Sequence, residues 1–264
     1  MSLTFPSDSR PIALLSALAQ EQHDLIGQLQ QPHRVSHAGR DFWLGKLHSW
    51  PVVLALSKIG KVAAATTATA LIERFTVRYI VFTGVAGGLA ETVQVGDVVV
   101  ASHFMHHDLD VSPLFPRYEV PLYGQTCFAG DRALTDLLFQ AAVAALDASR
   151  QAGLVDGASW QYPEARVHRG LIASGDQFVC GAEASRSLKA SLASAGHAAL
   201  AVEMEGAAVA QVCLDYGVPF AAIRTISDRA DDSAHVDFNS FIDNVASRYA
   251  QEIIERFFGL LSIK

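Results

Sequence analysis

Short apolar runs alternate with longer segments of helical periodicity along most of this chain. The apolar runs are continuous rather than alternating, which is typical of strands covered on both faces of a sheet. They predict seven buried strands: Ile12–Ser16, Val52–Leu56, Tyr79–Thr83, Asp97–Ser102, Gly170–Ser174, Ala199–Val202 and Phe220–Ile226. Five helices are predicted between them: Gln20–Leu29, Lys61–Phe75, Arg132–Leu146, Ala182–Ala193 and Gly206–Tyr216.

A last helix is predicted to begin near Asp237, a favourable N-cap residue. Its apolar residues recur at three- and four-residue steps and share one face: Phe238, Phe241, Ile242, Val245, Tyr249, Ile253 and Phe257. The alternation of strand and helix predicts an α/β fold, with a central, mostly parallel, twisted mixed sheet flanked by helices. We expect residues 1–264 to form a single domain with two long loops, Met105–Gly130 and Ala148–Val167.

Composition and charge exclude several classes of partner. The 264 residues are 50% hydrophobic, which is enough for one sizeable core. The net charge of −7, without any run of Lys or Arg, argues against binding to duplex DNA or to an anionic membrane. The three cysteines show no CxxC spacing, so we expect a reducing, cytoplasmic setting and no disulfide framework.

Residues 10–19 resemble a signal peptide, because an apolar run follows Arg10 and ends in Ala17-Leu18-Ala19. Asp8 interrupts the positively charged region that such a peptide needs, so a first buried strand is the favoured interpretation. No apolar run approaches the ~20 residues of a membrane span.

The small-residue stretch Thr83–Gly88 follows the third predicted strand. Its glycines do not fit G-x-G-x-x-G, and the chain has neither G-x-x-x-x-G-K-[ST] nor G-x-S-x-G. The common dinucleotide, triphosphate and serine-hydrolase signatures are therefore missing. The stretch includes Ala86 and Gly87. Its small residues either let a ligand come close to the backbone or form a tight turn.

Histidines and aspartates at His103, His106, His107, Asp108 and Asp110 are of the types that bind zinc or manganese. Their spacing matches no helix-borne H-E-x-x-H motif, and neighbouring side chains on an extended segment point to opposite faces. A polar loop or a subunit contact is favoured, and no metal or cofactor is expected.

Carboxylates lie at the ends of predicted strands in three places. Glu21 comes after the first strand, Glu203 and Glu205 flank Met204 in an apolar stretch, and Asp228 ends another. Ligands of open parallel sheets bind beyond the carboxyl ends of the strands, so these groups are expected to share one crevice. The structural alternatives are a charge favoured at a helix start for Glu21 and a cap or turn former for Asp228.

Several stretches resemble the methylthioadenosine/S-adenosylhomocysteine nucleosidases of the wider nucleoside phosphorylase family. The resemblance spans nearly the whole chain. It is most specific at AVEME and RTISD, which belong to the last of these stretches: Ile12–Glu21, Ser57–Ala65, Thr83–Val99, Gly170–Phe178 and Ala201–Asp231.

The resemblance implies a role for individual residues. It implies that Glu21, helped by Arg224, deprotonates the attacking water, and that Asp228, held by Ser227, protonates the purine. Burial in an apolar pocket would favour the protonated form that an acid needs. Other positions are expected to bind substrate: Ile59, Ala86, Gly87, Phe178, Val179, Glu203, Met204, Glu205 and Phe238. Among these, Glu205 would bind the ribose hydroxyls.

The implied reaction is hydrolysis of the N-glycosidic bond of 5′-thio-substituted adenosines in a homodimer whose partner segment Val111–Pro121 closes the 5′ subsite. Val85 departs from the family pattern, which commonly has a hydroxyl residue there to help hold the water. The alternatives are a phosphorylase, a hydrolase of another modified adenosine such as a futalosine-type nucleoside, and a non-catalytic nucleoside-binding protein. Hydrolysis is favoured because Glu21 would repel phosphate.

Overall fold

A computed structural model describes residues 10–156, 162, 164–231, 238, 241, 245 and 247–262 of the chain. Within these ranges the strands are β1 Ile12–Ser16, β2 Gln30–His37, β3 Arg40–Leu47, β4 Trp50–Leu56, β5 Ile80–Gly88, β6 Val98–His106, β7 Phe128–Ala129, β8 Val167–Ser174, β9 Ala199–Glu203 and β10 Phe220–Asp228. The helices are α1 Ala19–Gly27, α2 Lys61–Phe75, α3 Arg132–Asp156, α4 Ala182–Ser194, α5 Gly206–Tyr216 and α6 Ser247–Leu261.

All these strands belong to one mixed sheet in the order β10-β6-β8-β9-β5-β1-β4-β3-β2, with β7 paired to β6. An additional pairing joins β10 to β5, so β5, β10, β6, β8 and β9 form a closed circuit. β1 lies parallel to β4 and β5, β5 to β10, and β8 to both β6 and β9. The predicted α/β class, with a mixed sheet flanked by helices, is confirmed.

The two faces of the central strands are covered by different helices. On β1, Ile12 and Leu14 belong to a core shared with α1, α3 and α6, whereas Ala13 and Leu15 belong to a core shared with α2 and α5. This double burial explains why the strands are apolar at every position rather than at every second one. It also leaves the carboxyl ends of the parallel strands as the uncovered edge.

Several strands extend further than predicted. β6 ends at His106 rather than Ser102, because Phe104 and Met105 are fully buried and continue the ladder with β8. β5 ends at Gly88, so the small-residue stretch is part of the strand rather than a turn. Its Ala86 and Gly87 pair with β10.

The hairpin formed by β2 and β3 was not predicted. Most of β2 is exposed, and its sequence QQPHRVSH carries no apolar alternation that would indicate a strand. Its turn is made by Ala38 and Gly39, which have φ values of 49° and 69°. Backbones with two successive positive φ angles form the tight turns that suit two-residue hairpins.

The predicted loop Ala148–Val167 is wrong in its first part, because α3 continues to Asp156 and β8 begins at Val167. The predicted start of the last helix near Asp237 lies outside the described residues, as does Ile242. Four of the apolar residues predicted for this last helix are at most 2% exposed: Phe241, Tyr249, Ile253 and Phe257. No helix in the described ranges combines the length and apolarity needed to cross a membrane.

Candidate active site

A cavity of about 400 Å³ opens at the carboxyl ends of β1, β5, β9 and β10. It brings together Glu21, Glu205 and Asp228, the three carboxylates that the sequence placed after strands. Further predicted site residues line it as well: Ile59, Ala86, Gly87, Phe178, Val179, Glu203, Met204, Ser227 and Phe238. Arg224 is the one predicted residue that is not among the cavity's lining residues.

Glu21 is held entirely by backbone amides. Its Oε2 accepts hydrogen bonds from the N–H groups of Ala17 and Leu18 at 2.8 and 2.9 Å, and its Oε1 accepts one from Val85 at 3.1 Å. The bond from Leu18 is half of a capping box at the start of α1, so the helix-start interpretation also applies. Burial raises the pKa of Glu21 despite these donors.

Glu203 and Glu205 are separated by a single residue but have different neighbours. Glu203 ends β9 and accepts from the Gly206 amide at 2.9 and 3.0 Å and from the Ser174 hydroxyl. Glu205 precedes α5, and its Oε1 accepts from the Gly60 amide at 2.7 Å. Burial, together with the charge of Glu203, raises the pKa of Glu205 to about 8.

Arg224 is paired with Glu203, not with Glu21. Its Nη2 donates to Glu203 Oε2 at 2.8 Å, and its Nη1 donates to the carbonyls of Phe82 and Ile223. The guanidinium also lies 4.0 Å from the ring centroid of Phe82. The expected help to Glu21 is therefore electrostatic, since the Arg224 charge lowers the pKa of Glu21 while the hydrogen bonds described for the Glu21 carboxylate come from backbone amides.

Asp228 is fixed from two sides at the end of β10. Its Oδ2 accepts from the Ser227 hydroxyl at 2.8 Å, and its Oδ1 accepts from the Ala230 amide at 2.8 Å. Gly87 on the adjacent strand leaves room for the carboxyl group, because a Cβ there would lie 2.9 Å from Asp228 Oδ1. The predicted holding of Asp228 by Ser227 is thus present.

Apolar side chains form the mouth of the cavity. Phe178 and Phe238 meet edge to face with their ring centroids 5.6 Å apart. Phe178 is 46% exposed and Ile59 is 57% exposed. These residues give the cavity an apolar rim above a floor of carboxylates.

Sequence reasoning did not assign four further lining residues: Ala17, Leu18, Gln177 and Val202. Ala17 and Leu18 join β1 to α1, and Gln177 precedes Phe178, so adjacency to predicted site residues was the available signal. Segment Val111–Pro121 does not line this cavity. The histidine-rich stretch forms no group of metal-binding side chains within the described part of the chain.

The family model described as the phosphorylase superfamily matches residues 11–259. The chain belongs to the phosphorylase superfamily. Among members of this superfamily, it is similar to a Shewanella denitrificans protein named 5′-methylthioadenosine/S-adenosylhomocysteine nucleosidase. The two are 35% identical over 245 residues, which cover 92% of this chain and 96% of that protein.

Solved structures agree with this family membership. The 5′-methylthioadenosine/S-adenosylhomocysteine nucleosidase from Neisseria meningitidis in complex with methylthio-immucillin-A has a TM-score of 0.81 and 32% identity, covering 94% of this chain and 98% of that one. A futalosine hydrolase mutant of Helicobacter pylori has a TM-score of 0.78 and 30% identity, with coverage of 94% and 98%. The family resemblance and the fold predicted from the sequence are confirmed.

Proposed function

We propose that this chain is an N-glycosyl hydrolase that cleaves 5′-thio-substituted adenosines, such as methylthioadenosine and S-adenosylhomocysteine, to adenine and a thioribose. The observation that carries the proposal is the convergence of Glu21, Glu205 and Asp228 on one cavity. The names of the Shewanella and Neisseria relatives support this substrate class.

Asp228 is the proposed general acid. Adenine is a poor leaving group as an anion, so N7 must gain a proton as the C1′–N9 bond lengthens. The hydrogen bonds from Ser227 and Ala230 hold the carboxyl group in one orientation, which is what proton transfer at a fixed atom requires. General acid catalysis of this kind typically contributes about 10²–10⁴-fold.

Glu205 is the proposed ribose ligand. As the bond breaks, the sugar gains oxocarbenium character, and this positive charge favours the ionised form of Glu205, whose carboxylate accepts hydrogen bonds from the ribose hydroxyls. The Gly60 amide holds one oxygen of Glu205 through a 2.7 Å hydrogen bond. Met204 lies beside it in the lining and offers an apolar surface for the furanose.

Glu21 is the proposed base that activates water. The raised pKa of Glu21 makes its carboxylate a stronger base than an exposed glutamate, which favours removal of a proton from water. The Val85 amide orients Oε1, so the backbone at this position still contributes although the side chain has no hydroxyl. Water would then attack the face of the sugar opposite to the departing adenine, as in inverting glycosidases.

The charges around Glu21 favour hydrolysis over phosphorolysis. A phosphate nucleophile needs a cluster of cationic and hydrogen-bond donors. Arg224, the cation on β10, is already neutralised by Glu203, and Glu21 would repel an anion. Turnover of methylthioadenosine should therefore be independent of phosphate. A rate that requires phosphate and yields a ribose-1-phosphate would overturn the proposed hydrolysis.

The apolar rim formed by Ile59, Phe178 and Phe238 favours a thioether over a free 5′-hydroxyl, because burying an unpaired hydroxyl is costly. We expect a higher kcat/KM for methylthioadenosine than for adenosine, and equal values would contradict this preference.

We also propose a cytoplasmic homodimer in which the partner's copy of the Val111–Pro121 segment closes the 5′ subsite. Sedimentation at micromolar concentration tests the dimer.

The Helicobacter relative makes a futalosine-type nucleoside the second candidate substrate. Release of adenine from a panel of 5′-modified adenosines would separate these substrates, and no release from any would indicate a nucleoside-binding protein.

Asp228→Asn should keep its fold and weak ligand binding while losing nearly all turnover. Normal turnover by this variant would remove Asp228 as the general acid.

A further inference from the structure

Three charged residues outside the cavity join the segments that border it. Lys61 begins α2, Asp108 follows β6 and Asp176 follows β8, and we call these three residues the Lys61 cluster. Lys61 Nζ donates to Asp108 Oδ1 at 2.6 Å, and the Asp176 amide donates to Asp108 Oδ2 at 2.9 Å. The Lys61 amide donates to Asp176 Oδ1 at 2.7 Å, which closes the cluster.

None of the three residues is among those that line the cavity, so they do not contact substrate directly. The side chains of Lys61 and Asp108 are only 21% and 20% exposed, so this pair is less screened than an ordinary surface pair. Although burial would raise the pKa of Asp108, the hydrogen bonds from Lys61 and Asp176 lower it. The carboxylate is therefore charged at neutral pH and able to hold both donors.

The Lys61 cluster is connected to the cavity through Gly60. Two successive amides point to two different carboxylates, with the Gly60 N–H on Glu205 Oε1 and the Lys61 N–H on Asp176 Oδ1. Gly60 has a φ of 96°, and a Cβ there would lie 3.1 Å from Asp176 Oδ1. Gly60 thus joins two peptide groups, one held by Glu205 through the Gly60 N–H and the next held by Asp176 through the Lys61 N–H.

We propose that Asp108 is a positioning residue that, through Lys61 and Asp176, holds the Gly60 amide against Glu205 and so orients the carboxylate for the ribose hydroxyls. This inference rests on the proposed role of Glu205 in binding ribose. Asp108 accepts from the Lys61 ammonium and from the Asp176 amide, and the Asp176 carboxylate in turn accepts from the first amide of α2. Without Asp108, Lys61 and Asp176 would lose the acceptor that they share.

A substrate comparison separates positioning from general stabilisation. We would measure kcat/KM for methylthioadenosine and for its 2′-deoxy analogue, and take the ratio of the two. Asp108→Asn keeps the shape of the side chain but retains only one of the two acceptor oxygens. Because the lost interaction acts on the ribose hydroxyls, this ratio should fall by about tenfold, as for a lost charge-assisted hydrogen bond. A purely structural role would lower both values equally and leave the ratio unchanged.

Two further variants keep the test decisive. Lys61→Met removes the Nζ donor while keeping the backbone bond to Asp176, and its ratio should fall in the same direction even if Asp108→Asn does not fold. Asp136→Asn is the matched control, since it breaks a 2.6 Å pair with Arg169 on the surface and should leave the ratio unchanged. An unchanged ratio in Lys61→Met and in folded Asp108→Asn would overturn the positioning role.

The wild-type measurements distinguish failure of this inference from failure of the proposed function. A wild-type enzyme that releases adenine but does not discriminate against the 2′-deoxy analogue would remove the ribose role of Glu205 and the inference with it. A wild-type enzyme that discriminates, with variants that discriminate equally well, would overturn the inference alone.

Discussion

Arg224 and Glu203 form a buried ion pair, with Nη2 and Oε2 2.8 Å apart and the two side chains 2% and 3% exposed. The pair joins β10 to the end of β9, where Glu203 lines the cavity and Arg224 does not. The Arg224 charge counteracts the rise that burial causes in the pKa of both Glu21 and Glu205, so Arg224 acts on two proposed catalytic groups from outside the lining. Its effect on stability can be measured separately from catalysis.

Removing only one member of this pair should be strongly destabilising. Arg224→Met leaves Glu203 buried without its cation, which should lower the free energy of unfolding by about 3–5 kcal/mol. The double variant Arg224→Met/Glu203→Gln carries no unpaired charge at this position and should be more stable than the single variant. Urea denaturation of the wild type, the two single variants and the double variant would measure this. A double variant that loses the sum of both single effects would contradict the interpretation.

Glu205 should make the stability of the protein depend on pH. Burial raises the pKa of Glu205 to about 8 in the folded chain from its ordinary value of 4.5, so folding takes up a proton between these two pH values. The stabilising contribution is therefore complete below about pH 4.5 and is lost as the pH rises to about 8. A tenfold difference in proton affinity between the folded and unfolded states corresponds to about 1.4 kcal/mol.

The variant Glu205→Gln stays neutral and should escape this loss. The free energy of unfolding of the variant minus that of the wild type should therefore increase as the pH is raised from 4.5 to 8. Glu183→Gln, at an exposed position in the first turn of α4, is the control and should follow the wild-type curve. Urea denaturation at several pH values would test this. Parallel curves for wild type and Glu205→Gln would contradict the raised pKa.

Gly87→Ala should impair catalysis more than folding. The added Cβ would lie 2.9 Å from Asp228 Oδ1 and 3.1 Å from the Cβ of Ala230, so the general acid must move. A displacement near 1 Å can cost about 10²-fold in rate, and we expect kcat to fall by about that factor. Gly27→Ala is the control, because a Cβ there meets nothing within 4 Å. Equal rates for the two variants would show that the position of Asp228 is not critical.

The main strands of the fold were predictable because burial on both faces leaves a continuous apolar run. This is why β1, β4, β5, β6, β8, β9 and β10 were found and the exposed strand β2 was not. The convergence of Glu21 and Asp228 followed from the same fact, since β1 and β10 both run parallel to β5 and end at one edge. Glu205 joins them although β9, parallel to β8, pairs antiparallel with β5.

The arrangement of individual charges could not be predicted in the same way. Glu203 and Glu205 are two residues apart, and which of them pairs with Arg224 depends on the backbone at Glu205, where φ is −135° and ψ is −40°. The turn directs Glu205 towards Gly60 and leaves Glu203 for Arg224. A pattern of residue types does not specify this turn, and the family resemblance implied only that Arg224 helps Glu21.

Val85 offers a test of how the attacking water is held. Its amide donates to Glu21 Oε1 at 3.1 Å, and its side chain lines the cavity, so a hydroxyl at this position would lie beside the proposed base. Val85→Ser should raise kcat for methylthioadenosine by about fivefold, as expected for one additional hydrogen bond of ~1 kcal/mol. Val85→Ala loses the same apolar contacts without gaining a hydroxyl, and its kcat should not rise. If the serine and alanine variants turn over equally, the Glu21 carboxylate and the backbone already hold the water and the missing hydroxyl has no role here.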